Sequence, residues 1–138
     1  MIDRVEIYVH SHATEDPEKV LEAVANLLGL EELPEVEVFK VRGHHGNEIL
    51  NMKMVLRGKE AKKAVEHIIK SMDDLEYEIL KNELPWRSEG SKLYLRFNKQ
   101  DAYGGKLRLS SGSDIIRVVI VFKGAKVSKE LLDQIRES

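Results

Sequence analysis

Basic and aromatic residues recur at alternate positions in several stretches of the chain. Alternate positions of a β-strand share one side, where Lys and Arg can pair with phosphate and Tyr can stack on an unpaired base. The outward set predicted in this way is Arg4, Tyr8, His10, Lys92, Tyr94, Arg96, Lys106, Arg108 and Arg117, with Lys53 and Arg57 as further candidates. Glu6 is the acidic residue interleaved with it. The pattern predicts a surface that binds nucleic acid, and RNA fits better than DNA because open sheets with aromatic side chains suit single-stranded loops.

The same alternation would arise on a sheet face that only meets solvent. Outward strand positions have to be polar, and Lys and Arg also discourage edge-to-edge aggregation. The sign of the charge favours RNA, because Leu84–Lys126 holds nine basic and three acidic residues. The aromatic content argues against it, since only Tyr8 and Tyr94 belong to the set. Spacing alone therefore leaves both interpretations open.

Five histidines raise the alternative of a metal-dependent phosphoesterase. His10 and His12 are spaced as two residues on one side of a strand, and His44-His45 could supply a further ligand from a loop. No HExxH motif or fixed carboxylate partner accompanies them. His67 lies among apolar helix positions and is interpreted as a packing residue. We predict no metal site and no cofactor.

No motif predicts catalysis. The glycines of Gly43-His44-His45-Gly46 do not have the spacing of a P-loop or a dinucleotide motif. Ser110-Ser111-Gly112-Ser113 is interpreted as a turn in preference to a phosphate-binding nest, and Glu15-Asp16 as part of a helix cap. The absence of cysteine excludes thiolate nucleophiles, disulfides and Cys-based metal sites. We expect a protein that is not an enzyme.

Secondary-structure signals place the candidate side chains on strands. Val5, Ile7 and Val9 alternate with polar residues and predict a first strand, and a capping Asp16-Pro17 begins a helix over about Pro17–Leu28. The further predicted elements are strands at Glu35–Arg42 and Ile49–Arg57 around a hairpin loop, helices at about Lys59–Ser71 and Leu75–Asn82, strands at Leu93–Phe97, Leu107–Leu109 and Ile116–Phe122, and a helix at about Lys129–Arg136 capped by Ser128. Trp86 is predicted to cover the core.

The order β-α-β-β-α(α)-β-β-β-α predicts an α+β fold, a two-layer sandwich with a mixed, mostly antiparallel sheet and helices packed on one face. The helix-free face would then be open and carry the outward set. With 138 residues and no linker or repeat, the chain is expected to form a single domain over 1–138. No apolar stretch approaches the ~20 residues of a membrane span, and no signal peptide is evident, so we expect a cytoplasmic location.

The net charge of −2 conceals a division of the chain into an acidic and a basic part. Met1–Glu37 holds two basic and ten acidic residues, whereas Val38–Ser138 holds twenty basic and fourteen acidic residues. The basic excess is concentrated in the strands after Ser91. The whole-chain charge is therefore a poor guide to binding partners.

Three segments carry a family resemblance: His10-Ser11-His12-Ala13-Thr14-Glu15-Asp16-Pro17-Glu18-Lys19-Val20, Gly43-His44-His45-Gly46-Asn47, and the run from Tyr94 to Leu109 that contains Asn98-Lys99-Gln100-Asp101-Ala102-Tyr103. They resemble the archaeal family of small RNA-binding proteins known as predicted exosome subunits, whose fold is similar to that of the ribosomal large-subunit protein that binds 5S rRNA. The resemblance runs from about Asp3 to Phe122.

The resemblance implies a non-catalytic role in RNA binding, within RNA processing or degradation. It adds Asn98, Lys99, Gln100 and Tyr103 to the candidate surface, beside Lys106 and Arg108. Together with the outward set, it predicts phosphate contacts by Lys92, Arg96, Lys99, Lys106, Arg108 and Arg117, and base stacking by Tyr94 and Tyr103. The expected partners are RNA and exosome- or ribosome-related proteins, with no membrane; a homodimer and a protein–protein adaptor without RNA contact stay open as alternatives.

Overall fold

The computed structural model describes residues 1–43 and 45–138. The described part contains six strands and six helices. In chain order they are β1 (Ile2–Ser11), α1 (Pro17–Leu28), β2 (Glu37–Arg42), β3 (Glu48–Arg57), α2 (Gly58–Ser71), α3 (Asp74–Asn82), α4 (Leu84–Arg87), β4 (Ser88–Glu89), β5 (Lys92–Asn98), α5 (Lys99–Tyr103), β6 (Ile115–Phe122) and α6 (Lys129–Glu137).

The strands form one sheet in the order β2-β3-β1-β6-β5-β4, and every neighbouring pair is antiparallel. β1 and β6 are therefore the central strands, and β2 and β4 are the edges. Alternate residues of the strands are buried in one core together with the apolar sides of α1, α2, α3 and α6. The predicted two-layer α+β sandwich with helices on one face is confirmed. We call the other face of the sheet, which carries no helix, the open face.

Helix ends follow the local sequence closely. The Asp16 side chain accepts a hydrogen bond from the Glu18 backbone N–H, and Pro17 occupies the first turn of α1. Gly29 ends that helix with a φ of 67°, in the left-handed region that glycine adopts readily. The ring of His67 lies against Gly29, since a Cβ there would come within 2.4 Å of the ring. The prediction that His67 is a packing residue is confirmed.

Two predictions about the second half of the chain are wrong. Leu107–Leu109 is not a strand: it makes a single bridge, between Leu109 and Phe97, beside the end of β5. The connection before it contains α5, whose N-terminus is capped by the Asn98 side chain. Trp86 does not cover the core, because it lies in α4 with 72% of its surface exposed. The two-residue strand β4 was not predicted.

Candidate nucleic-acid interface

A row of charged and aromatic side chains crosses the middle of the open face. The strand register places Arg96 opposite Arg117, Arg117 opposite Tyr8, and Tyr8 opposite Lys53. Residues that face each other across antiparallel strands share one side of the sheet. These four side chains, which we call the central row, therefore form a continuous line over β5, β6, β1 and β3. Glu37 continues the line at the β2 edge.

Two arginines are neighbours in the central row. Arg96 and Arg117 are both exposed, and like charges directly opposite each other destabilise a sheet. Arg96 Nη2 donates a hydrogen bond to the Gly112 carbonyl at 2.8 Å, and the Arg117 guanidinium lies 5.2 Å from the Tyr8 ring centroid. Neither arginine forms an ion pair with a carboxylate among residues 1–43 and 45–138. The pair thus presents two uncompensated positive charges, which an anion would relieve.

Tyr8 holds the centre of the row in place. Its ring lies between two cations, with Lys53 Nζ at 5.4 Å and the Arg117 guanidinium at 5.2 Å from the ring centroid. Its hydroxyl donates a hydrogen bond to Glu6 Oε1 at 2.6 Å. This bond raises the pKa of Tyr8 and lowers the pKa of Glu6. Tyr8 therefore positions cations rather than offering a free ring face for stacking.

Arg4 is on the open face but its charge is neutralised locally. Its guanidinium donates to Glu6 Oε2 at 2.7 Å and to Asp3 Oδ2 at 2.5 Å. These hydrogen bonds raise the pKa of Arg4, with the bond to Glu6 the larger cause. Arg4 therefore contributes less than the central row to the attraction of a polyanion.

Two valines on the open face of β6 form an apolar strip next to the central row. Further cations lie beyond this strip, towards the end of β6. Val119 and Val121 are 4% and 7% exposed although no helix covers this face, so side chains on neighbouring strands must cover them. Tyr94 faces Val119, and Lys92 faces Val121, both from β5. Arg57 lies beyond Arg4 on β3. Among the described residues, Lys92 and Arg57 have no ion pair. This end of the open face presents two further free cations.

The segment after α5 brings two more cations to the β5 edge. Hydrogen bonds from Asn98 N to Arg108 O and from Ser110 N to Arg96 O align it with β5. Arg108 thereby falls opposite Asn98, on the open-face side, and both Lys106 and Arg108 are exposed. The Asn98 side chain itself is occupied, because its Oδ1 accepts from the Asp101 backbone N–H.

Lys99 is buried, with 3% of its surface exposed. Its Nζ donates to the His10 carbonyl and Glu15 Oε1, each at 2.9 Å, and pairs with Asp114 Oδ1 at 3.0 Å. Burial would raise the pKa of Asp114, but the hydrogen bond from Lys99 and its charge outweigh burial and lower that pKa. The contact joins the first and third segments that carry the resemblance, through Glu15 and Lys99, and gives Lys99 a structural role.

Gln100 and Tyr103 lie away from the open face. Tyr103, at the end of α5, is 42% exposed and lines a cleft of about 400 Å³ against α1 together with Gln100 and Lys19. Gln100 Nε2 also donates to Asp114 Oδ2 at 3.3 Å. The structure therefore divides the predicted site residues between two surfaces. Lys92, Tyr94, Arg96, Arg108 and Arg117 share the open face, whereas Gln100 and Tyr103 lie on the helix side.

The histidines do not assemble a metal site within residues 1–43 and 45–138. His10 Nδ1 contacts Asn51 Oδ1, whereas His12 lies 4.0 Å from Glu15 Oε1, so the two rings have different partners. His44 lies outside the described residues, so its predicted role as a metal ligand stays a prediction from the sequence.

The sequence did not predict a small apolar pocket on the open face, next to the central row. It has a volume of about 200 Å³ and is lined by Tyr8, Val9, His10, Phe39, Asn51, Met52 and Lys53. We call it the Phe39 pocket. Phe39 belongs to the edge strand β2 and is 58% exposed. The sequence does contain an aromatic residue in a predicted strand. Because apolar residues occur on both sides of that strand, however, only its pairing with β3 shows which face Phe39 occupies.

No helix in the described residues is long and apolar enough to cross a membrane.

The chain is similar to proteins of archaea. The chain is 41% identical to an uncharacterized protein of Methanocaldococcus jannaschii over 89% of this chain and 86% of the relative. It is 36% identical to an RNA-binding protein of Pyrococcus abyssi over 91% of this chain and 85% of that protein.

Solved structures show the same fold. A DUF54 protein of Archaeoglobus fulgidus has a TM-score of 0.76 and 31% identity over 99% of both chains. A DUF54 protein of Sulfolobus solfataricus has a TM-score of 0.78 and 25% identity, over 98% of this chain and 96% of the other. The family model described as RNA binding matches residues 4–122. The chain belongs to this RNA-binding protein family.

Proposed function

We propose that the protein is a non-catalytic RNA-binding factor that contacts RNA through the open face and serves RNA processing or degradation. The observation that carries the proposal is the exposed Arg96–Arg117 pair, which has no carboxylate partner in the described chain. A sheet tolerates such a pair at a cost, and phosphate offsets that cost. We also propose that the protein associates with exosome- or ribosome-related proteins and that its fold is like that of the ribosomal protein that binds 5S rRNA.

The cations of the open face set the expected salt dependence. Five of them carry no ion pair among the described residues, namely Lys53, Arg57, Lys92, Arg96 and Arg117. If each meets one phosphate of a single strand, log K should fall with log salt at a slope of about −3.5. Arg108 and Lys106 would steepen the slope where the RNA extends past the β5 edge.

We predict that Arg96→Glu combined with Arg117→Glu weakens RNA binding roughly 100-fold at 0.1 M salt and reduces the magnitude of the salt slope by about 1.4. Two phosphate contacts are lost and two repulsive charges are gained. Fluorescence anisotropy of labelled RNA over a salt series measures both quantities.

The matched control is Lys59→Glu combined with Lys63→Glu. Both lysines are exposed on α2, in the helix layer, and the change in net charge is identical. This control should retain most of the affinity. Equal losses in the two double variants would mean that net charge alone drives binding, and the open-face assignment would be abandoned.

The second candidate function is a protein–protein adaptor, and the β2 edge favours it. Val38, Phe39 and Val41 are 50%, 58% and 44% exposed on a strand that pairs on one side only. Exposed apolar edges can add a strand from a partner. A purified complex that survives nuclease treatment, with no salt-sensitive RNA binding by the isolated protein, would favour the adaptor over the RNA-binding proposal.

A further inference from the structure

The Phe39 pocket offers an aromatic ring at the edge of the open face, next to the central row. The Tyr8 ring lies between two cations, whereas Phe39 is 58% exposed at the sheet edge. Edge strands usually carry charged residues, and an exposed aromatic ring there loses hydrophobic stabilisation that burial would provide. An occupant with a flat apolar surface would recover that stabilisation.

Polar groups line the pocket beside the ring. Phe39, Asn51 and His10 face one another across β2, β3 and β1. His10 Nδ1 contacts Asn51 Oδ1. These two side chains have no other partner in the described part of the chain. The margin of the pocket therefore carries two polar side chains beside the ring.

Cations of the central row lie near the pocket. Lys53 lines it and also belongs to the central row, two residues from Asn51 along β3, which is about 7 Å. Arg117 follows two strands farther on, at about 10 Å from Lys53. An occupant with a flat ring and a neighbouring negative charge therefore matches both features. A nucleotide has this composition, and a base can enter only when it is unpaired.

We infer that the Phe39 pocket binds one unpaired nucleobase of the RNA, stacked on Phe39, while the adjacent phosphates follow the central row from Lys53 towards Arg96. This inference rests on the proposed function and deepens it. It makes the preferred substrate an RNA with single-stranded nucleotides, because a fully paired duplex can contact the cations but cannot fill the pocket.

The test compares two probes that carry equal numbers of phosphates, a hairpin RNA with a single-stranded loop and a blunt RNA duplex. Phe39→Ala should weaken hairpin binding roughly 5- to 150-fold, the range expected for losing one stacked base. Duplex affinity and the salt slope should stay unchanged, because no cation is lost. Phe39→Trp should keep hairpin affinity, since the indole ring also stacks.

The matched control is Val38→Ala. Val38 is 50% exposed on the same strand but faces the other side of the sheet, so this variant should bind both probes as the unchanged protein does. Thermal unfolding of each variant confirms that the fold is retained, which is expected because Phe39 lies outside the core.

Failure of this inference can be told apart from failure of the proposed function. If Arg96→Glu/Arg117→Glu weakens binding as predicted above while Phe39→Ala behaves as Val38→Ala does, the open face binds RNA and the pocket inference is overturned. If neither variant affects binding, the proposed function fails as well. If Phe39→Ala changes the sedimentation mass of the protein and leaves RNA affinity intact, the ring belongs to a contact between copies, and the inference is likewise overturned.

Discussion

The Lys99 ammonium has three hydrogen-bond donors, and all three are used within the protein. The acceptors are the His10 carbonyl, Glu15 Oε1 and Asp114 Oδ1, at distances of 2.9 to 3.0 Å. A phosphate contact would require the breaking of at least one of these bonds and the exposure of a buried side chain. The geometry indicates that Lys99 ties the loop after β1 to the starts of α5 and β6.

We therefore predict that Lys99→Met lowers the free energy of unfolding by about 3 kcal/mol, because it leaves Glu15 and Asp114 without their shared cation. RNA affinity of the folded variant should not change. Urea unfolding and RNA titration measure the two effects.

Lys92→Met is the contrasting variant, since Lys92 is exposed and unpaired in the described chain. It should alter stability by no more than about 0.5 kcal/mol and reduce the magnitude of the salt slope by about 0.7. The structural role of Lys99 would be contradicted if the two variants exchanged these behaviours.

At the scale of residues, the sequence correctly predicts which face of the sheet a side chain occupies where that side chain belongs to a regular strand. Arg96 and Arg117 follow from the alternation of β5 and β6. Lys99 and Tyr103 came from the resemblance alone and lie in a segment that period-two spacing cannot orient, because it folds as α5. Phe39 was missed because apolar residues occupy both sides of β2, and its face is decided by a partner strand rather than by its neighbours in sequence.

At the scale of elements, there is a structural reason why the strand predicted at Leu107–Leu109 does not form. Leu107 is buried and Leu109 partly buried, so their period-two spacing was a true signal of burial on one side. The outer edge of β5 is already occupied by β4 at its first residues, through the pairs Ser88–Leu93 and Glu89–Lys92. The later segment can pair only at the remaining end, where it makes one bridge.

The helix layer is joined by a junction between α3 and α6. Tyr77 Oη donates to Asp133 Oδ1 at 2.6 Å, and Lys81 Nζ does so at 3.1 Å. The Arg136 guanidinium lies 4.3 Å from the Tyr77 ring centroid and donates to the Met72 carbonyl at 2.9 Å. The hydrogen bond from Tyr77, followed by that from Lys81, lowers the pKa of Asp133.

A lowered carboxyl pKa predicts how this junction responds to pH. Ionised Asp133 stabilises the fold above its unfolded pKa of about 3.9, and the contribution is lost as the pH falls through the lower folded pKa. We predict that Asp133→Asn lowers the melting temperature at pH 7, and that the difference from the unchanged protein shrinks below about pH 4. Melting curves across this range provide the measurement.

Glu130→Gln is the control on the same helix, because Glu130 is exposed and has no ion pair with the described residues. It should change the melting temperature little at either pH. A difference for Asp133→Asn that persists unchanged in acid would show that the junction does not depend on the charge of Asp133.

At the scale of the whole molecule, the acidic and basic residues lie towards different parts of the sheet. Glu31, Glu32 and Glu35 are exposed in the connection between α1 and β2, just before Glu37 continues the central row at the sheet edge. The free cations of the open face lie on β3, β6 and β5, farther along the same sheet. The negative charge beside the β2 edge therefore directs the phosphates of an approaching polyanion towards the cations of β3, β6 and β5.

We predict that Glu31→Gln, Glu32→Gln and Glu35→Gln together raise the association rate for RNA a few-fold at ~0.01 M salt, where the Debye length is about 30 Å. The rates should converge near 1 M salt, where that length is about 3 Å and only contacts count. Stopped-flow fluorescence with labelled RNA measures the rates. The control is Glu22→Gln, Glu60→Gln and Glu130→Gln, three exposed acids of the helix layer with the same total charge change. A smaller acceleration in the control would show that position matters, whereas equal acceleration would show that net charge alone determines the encounter and that the charge division has no steering role.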